Sequence, residues 1–297
     1  MSNRGIHFGR LLKKMVGGLR LVPSAGFWRY IIGVRRFCVN WPYLILAGAG
    51  IVKNPHPVCL LRSGLRFKIS SMRTWGTIIS ICGEKIWTPE GHEVESGDTV
   101  VDIGAHIGTF SVLAATSASN VRVFSYEPDP TNFDFLTQNI RLNNLRNVKA
   151  FPLAVAGNRG STKLFTAPAD DAHSTVGLAG VSVSSRYVDV RCITLEDVIH
   201  EVGRCDFLKI NCEGAEYEIL MKTPEKSLRA IRKMSIDCHP IPDHNCSDLG
   251  HYLEGIGFSI KGVGDGAIEC SSHIHLYAQR REGQQAPPIV DALLGDT

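Results

Sequence analysis

One eleven-residue stretch constrains this chain more than any other: Val100-Val101-Asp102-Ile103-Gly104-Ala105-His106-Ile107-Gly108-Thr109-Phe110. The apolar run from Thr99 to Ile103 has the length and composition of a buried strand. It stops at Gly104, and an apolar-periodic segment from Ile107 to Ala115 then reads as a helix. Strand, glycine turn and helix in this order form the unit at which an open α/β sheet takes a nucleotide-like ligand. Gly104 is expected to let a ligand approach the backbone, and Gly108 to let the first helical turn lie close to the strand. A second strand, Val121 to Tyr126, leads into Glu127 and Pro128. A carboxylate at that point can accept hydrogen bonds from both hydroxyls of a ribose. The spacing Gly-x-x-x-Gly differs from the Gly-x-Gly-x-x-Gly of dinucleotide sites, which argues against a nicotinamide cofactor.

The rest of the chain extends the same pattern. Strands are expected near 99–103, 121–126, 147–154, 206–211, 233–238, 257–263 and 273–280, with helices near 107–118, 130–143, 194–202, 214–222 and 246–256. Such alternation implies a mostly parallel sheet covered by helices on both faces. Between the third and fourth strands lies an insertion, roughly 157–192. It holds two further strand-like runs, Ser161 to Thr166 and Arg186 to Cys192, and a polar loop from Ala169 to Gly180. Upstream, Val58 to Arg62 and Leu65 to Ser70 read as a hairpin turning at Ser63-Gly64, and Trp75 to Trp87 as a helix. Three regions follow: a basic helical extension over 1–55, a main domain over 56–281, and a disordered tail over 282–297.

Charge is distributed unevenly. The first 83 residues carry thirteen Lys and Arg and no Asp or Glu, whereas the overall excess is only +3. That overall value gives no reason to expect a nucleic-acid partner. The acid-free start, interleaved with Phe27, Trp28, Tyr30, Ile31, Ile32, Phe37 and Trp41, fits either peripheral contact with an anionic membrane surface or a basic collar packed on the main domain. The apolar run from Tyr43 to Val52 falls short of the roughly 20 residues a membrane span needs. Nine cysteines show no Cys-x-x-Cys spacing, so a reducing, cytoplasmic setting is expected rather than a disulfide framework or a zinc site.

Three blocks, in order and on the expected elements, resemble the FkbM family of methyltransferases over about residues 60–280. They are Asp102 to Ser111; Glu127-Pro128-Asp129-Pro130 running on through Leu136, Asn139 and Ile140 to Leu142-Asn143-Asn144; and Asp206-Phe-Leu-Lys209-Ile-Asn211-Cys-Glu213-Gly214-Ala-Glu216 running on to Leu220. The resemblance implies a Rossmann-like class I methyltransferase, with a seven-stranded, mostly parallel sheet whose last strand runs antiparallel. It also implies S-adenosylmethionine as methyl donor and a hydroxyl acceptor on a sugar, glycoconjugate or similar small molecule. One position departs from the family, which usually has aspartate where this chain has Asn211. Asparagine keeps the shape but cannot act as a base.

From these blocks the cofactor is expected at Asp102, Gly104, Ala105, Gly108, Glu127 and Pro128, with Asp102 orienting the glycine loop and the cofactor's amino group. Methyl transfer requires alignment of donor and acceptor and removal of the acceptor proton. Glu213, Glu216 and His239 are the candidates for that task, each at the carboxyl edge of the sheet. His106, His173, Ser174 and Thr175 are weaker candidates for contacts. Lys209 either holds a carboxylate across the sheet edge or is a solvated lysine, and Asn139 serves its own helix. Asn211, Asp237 and His239 offer oxygen and nitrogen ligands near one edge, but without an aspartate at 211 no metal is expected. Two rival readings remain: a cofactor-binding protein whose chemistry is lost, with Asn211 as its mark, and a nicotinamide-dependent oxidoreductase.

Overall fold

The computed structural model describes residues 25–48, 51–54, 56–71, 74–165, 187–263 and 274–281. The expectations placed on the first 24 residues, on the polar loop with His173, Ser174 and Thr175, and on the tail after 281 lie outside them. Two helices, α1 (Ala25–Phe37) and α2 (Trp41–Gly48), precede a hairpin of β1 (Val58–Leu60) and β2 (Arg66–Lys68). A short helix, α3 (Thr74–Ile78), continues as a π-helical turn through Gly83 and leaves Trp87 beyond its end. The helix expected over 75–87 is therefore shorter, and Lys85 at φ 54° turns the chain away.

The main sheet begins at β3 (Thr99–Ile103). There follow α4 (Thr109–Ser117), β4 (Arg122–Tyr126), α5 (Pro130–Leu142) and β5 (Val148–Phe151). After the insertion come α6 (Leu195–Val202), β9 (Cys205–Ile210), α7 (Glu216–Lys222), α8 (Glu225–Leu228), β10 (Ile231–Cys238), α9 (Cys246–Gly255), β11 (Phe258–Val263) and β12 (Ile274–Arg280). Spatially the seven strands run β11-β12-β10-β9-β3-β4-β5. The central pairings from β10 to β5 are parallel, and β12 lies antiparallel between β10 and β11. This is the seven-stranded arrangement, closed by an antiparallel last strand, that the sequence implies.

Burial on both faces explains the continuous apolar runs of these strands. Successive side chains alternate. Val101, Ile103, Leu208 and Ile210 therefore join α6 and α9 residues such as Leu195, Ile199, Leu249 and Leu253 on one face. Val100, Val123 and Phe207 pack with Phe110, Ala114 and Trp87 on the other.

The third expected strand is corrected. It breaks at Pro152, which has no N–H to give to a ladder. Beyond the break, β6 (Ala154–Val155) leaves the main sheet and pairs with β8 (Tyr187–Ile193), which in turn pairs with β7 (Gly160–Phe165). The insertion is thus a separate three-stranded sheet standing at the carboxyl edge.

Asparagine amides fasten the hairpin on both sides. On one edge, Asn40 accepts from the Leu60 N–H at 3.0 Å and donates to the Val58 carbonyl at 2.8 Å. On the other, Asn139 accepts from the Lys68 N–H at 2.7 Å, and Asn143, one helical turn on, accepts from the Arg66 N–H at 2.9 Å. Each side chain replaces a missing strand neighbour, so backbone groups that an edge would leave open are satisfied. Asn139 also donates to the Ile107 carbonyl at 2.8 Å, which ties the hairpin to the glycine loop. Val34, Cys38 and Leu44 are buried with Cys59, Leu61 and Phe67 of the hairpin and with Ile107, Val112 and Phe135 of the main domain.

Candidate active site

A cleft opens at the carboxyl edge where β3, β4 and β9 end. Its lining brings together Gly104 and His106 from the glycine loop, Glu127 and Pro128 after β4, and Asn211, Cys212 and Glu213 after β9. Tyr126, Ala154, Val155 and Leu164 supply an apolar wall. Reading the sequence missed this wall, because it is built by the small sheet that begins after Pro152.

At one end stands Glu127, which is 5% exposed. One carboxylate oxygen accepts from the His106 N–H at 2.7 Å, and the other from the Asp129 N–H at 2.9 Å. Each oxygen keeps a further lone pair. Burial pushes the Glu127 carboxyl up to about 7, against the opposing pull of the two N–H donors. His106 takes a left-handed φ of 53° to present its N–H, and so contributes through its backbone.

The two glycines have other reasons than those the sequence indicates. Gly104 has φ +70°, and a Cβ there would come within 1.9 Å of the Asn211 carbonyl oxygen. Gly104 thus admits the backbone after β9, and it lines the cleft as well. Gly108, at φ +83°, would bring a Cβ to 2.4 Å from Leu136 Cδ1, so it lets α5, rather than the strand, come close. Ala105 is buried against Leu136 and Ile140, outside the cleft lining. Its N–H joins that of Gly104 on the Tyr126 carbonyl.

Asp102 is fully buried and does not line the cleft. Ser111 donates to one of its oxygens at 2.6 Å, and the Lys209 ammonium lies 3.0 Å from the other. Lys209 is itself 4% exposed and donates to the Gly104 carbonyl at 2.7 Å. Asp102 therefore orients the glycine loop through Lys209. Expected to orient the cofactor's amino group as well, Asp102 lies behind the cleft lining with its oxygens toward Ser111 and Lys209. Lys209 is a buried partner, not a solvated one.

At the other end of the cleft, Glu213 occupies a left-handed φ of 51° right after β9. Burial pushes its carboxyl up to about 7; His239 opposes the rise, while Glu216 and Asp237 add to it. His239, just past β10, lies 3.6 Å from Glu213, 3.4 Å from Glu216 and 3.9 Å from Asp237. Burial works against its charge, but the Glu216 contact and the charges of Glu216, Glu213 and Asp237 prevail and raise it to about 9. At neutral pH His239 is consequently an imidazolium, a donor and a positive neighbour for Glu213, not a ready base.

Glu216 is completely buried and outside the cleft lining. Its oxygens accept from the N–H groups of Cys212 at 2.7 Å and Gly214 at 2.8 Å. It holds the turn that presents Glu213, so the structure gives it a positioning place, not contact with the acceptor. Asn211 lines the cleft, and its side-chain oxygen is buried without a hydrogen-bond partner.

His275 is the residue the sequence did not single out. The antiparallel ladder sets it directly opposite Asp237, and its Nε2 lies 3.8 Å from that carboxylate. Among the described residues no group of three or more His, Cys, Asp or Glu is arranged to hold a metal ion.

Fold and site together give an α/β protein with a mostly parallel sheet and a carboxylate at each end of one cleft. Residues 102–259, more than half of the chain, match the methyltransferase FkbM domain, and the chain belongs to that methyltransferase family. It is 28% identical over 195 residues to methyltransferase sdnD of Sordaria araneosa, covering 56% of this chain and 75% of that protein. It is 25% identical over 193 residues to the hexuronic acid methyltransferase AglP of Haloferax volcanii, covering 64% and 77%. It is 24% identical over 227 residues to the 31-O-demethyl-FK506 methyltransferase FkbM of Streptomyces tacrolimicus, covering 67% and 86%. Membership in a methyltransferase family removes the nicotinamide reading.

Proposed function

We propose that this methyltransferase uses S-adenosylmethionine to methylate a hydroxyl group on a sugar, glycoconjugate or similar small molecule. The observation that carries the reading is the pairing, across one cleft, of a ribose-type carboxylate with a second, titratable carboxylate. The residues fit the cofactor. Glu127 has a free lone pair on each oxygen for the two ribose hydroxyls. Asn211 offers a buried, unpartnered acceptor that an ammonium group would satisfy. The apolar wall of Ala154, Val155 and Leu164 suits a flat base.

The bound cofactor supplies an electrophilic methyl group on a positively charged sulfur. Everything else falls to the chain. The Glu127 end fixes the donor. Glu213 accepts the proton of the acceptor hydroxyl as the new carbon–oxygen bond forms. Its value near 7 lets it be ionised at neutral pH yet basic enough to take a proton. The His239 imidazolium stabilises the Glu213 carboxylate and can bond a neighbouring oxygen of the acceptor. Glu216 keeps the 212–214 turn in place.

The names of two relatives support the acceptor class, one a hexuronic acid methyltransferase and the other acting on an O-demethyl compound. The test is turnover of methyl-labelled cofactor against a panel of sugars, uronic acids and other hydroxylated small molecules. Label transferred to a hydroxyl oxygen supports the reading. Transfer only to nitrogen or carbon acceptors would overturn it.

A further inference from the structure

We propose that α1 and α2 form a docking surface for an anionic lipid bilayer. The described residues expose six large hydrophobic side chains, and four of them fall in this short stretch: Ile32 at 62%, Val39 at 53%, Leu46 at 40% and Ile51 at 54%. On α1, Ile32, Arg35 and Arg36 are exposed while Val34 is buried; just past the end of the helix Cys38 is buried and Val39 is exposed again. Arg62 adds a third cation here, since its guanidinium donates to the carbonyls of Arg35 and Arg36. Just after α2 the Ile51 N–H bonds the Leu46 carbonyl at 2.9 Å, which folds the chain after the helix back onto its last turn, and the exposed Lys53 follows.

No acid occurs anywhere in the first 83 residues, so nothing in that segment offsets its thirteen positive charges. Exposed aliphatic side chains among cations match the layered chemistry of a membrane interface, in which phosphates lie above acyl chains. A nucleic acid would use the cations and leave the aliphatics idle. The face is also firmly mounted. The helices share the hairpin's core, Asn40 ties them to the hairpin's backbone, and Asn139 links the hairpin to the glycine loop. The attachment proposed is peripheral; no helix among the described residues is long and apolar enough to cross a membrane.

Sedimentation of the full chain with vesicles of 30% phosphatidylserine in phosphatidylcholine, against phosphatidylcholine alone, tests the proposal. Wild type is expected to pellet with the anionic vesicles only, and to be released as salt rises from 0.05 to 0.5 M. Arg35→Gln/Arg36→Gln should weaken binding by roughly fivefold per charge. Val39→Ser/Leu46→Ser should also weaken it at least tenfold, with the thermal midpoint and affinity for S-adenosylhomocysteine unchanged. The proposal fails if wild type ignores anionic vesicles at low salt. It fails equally if only the arginine variant loses binding and homopolymeric RNA competes fully, since the face would then serve a polyanion.

Discussion

The two ends of the cleft are built on different principles. At the Glu127 end every polar contact is a short hydrogen bond to backbone, between 2.7 and 2.9 Å, within one strand–turn–helix unit and its neighbour. At the Glu213 end Glu216 holds the turn through backbone bonds, but His239 meets Glu213, Glu216 and Asp237 at 3.4 to 3.9 Å, among side chains from the ends of two strands and from a helix. The first end is locked before any ligand arrives. The second is an electrostatic cluster whose charge state, not its hydrogen-bond pattern, sets what it does. The proposed function accordingly gives binding to the rigid end and proton transfer to the titratable one.

The sharpest way to break this division is Glu213→Gln. It keeps size and polarity but removes the proton acceptor, and kcat should fall by ~10²-fold or more while S-adenosylhomocysteine affinity stays within about twofold. In wild type, kcat should rise with pH through about 7 as Glu213 ionises, and the rise should disappear in the variant. Loss of cofactor affinity comparable to the loss of kcat would mean the two ends are not separable.

Glu127→Ala gives the converse result. Losing charge-assisted bonds to the ribose should cost roughly 1.5–3 kcal/mol, at least tenfold in affinity by calorimetry. Ribose hydroxyls donate to the ionised carboxylate, and burial holds that carboxyl near 7. Wild-type affinity should therefore strengthen by about tenfold between pH 6 and 8, and Glu127→Gln should lack this dependence. A flat wild-type profile would show that Glu127 is not the ribose partner.

Stability responds to the same groups. Glu127 and Glu213 are raised from 4.5 to about 7, so each holds its proton more tightly in the folded state. The stability this lends is complete below about 4.5 and lost as pH climbs through 7. His239, raised from 6.5 to about 9, contributes fully below 6.5 and loses its share as pH passes through 9. All three act in one direction. The thermal midpoint of the cofactor-free protein should fall continuously from pH 5 to 9.5, and Glu213→Gln should flatten the part below 7.5. A midpoint that rises over this range would contradict the burial assigned to both carboxyls.

The same contrast explains what the sequence reveals. Thr99–Ile103 was legible to the residue because a strand buried on both faces is a continuous apolar run bounded by glycine. The placement of Glu127 at the cleft was legible because it follows from a local unit. The reasons for Gly104 and Gly108 were not, since the Asn211 carbonyl and Leu136 that crowd them arrive from distant positions. Glu213 and His239 were found through the family resemblance, yet the protonation of His239 depends on three carboxylates brought together by folding. His275 left no local signal at all. It faces Asp237 only because β12 inserts antiparallel in one particular register, and side-chain periodicity alone does not say which residue on the partner strand stands opposite.

Asn211 offers the finest test, because the family's usual aspartate can be restored at the boundary between the two ends. Asn211→Asp would add a negative charge to a cleft where Glu213 is already raised by burial and, beyond that, by Glu216 and Asp237. A further like charge nearby makes Glu213 harder to ionise. The expected outcome is a pH–rate profile displaced to higher pH, with a plateau kcat within about threefold of wild type. The added carboxylate should also bond the cofactor's ammonium at least as well as the present amide oxygen does, leaving affinity level or modestly improved. This small, pH-shifted response is what a site with its base at Glu213 must give. A sharp rise in kcat at every pH, together with an unimpaired Glu213→Gln, would instead make residue 211 the missing base, and the natural asparagine the mark of a weakened enzyme.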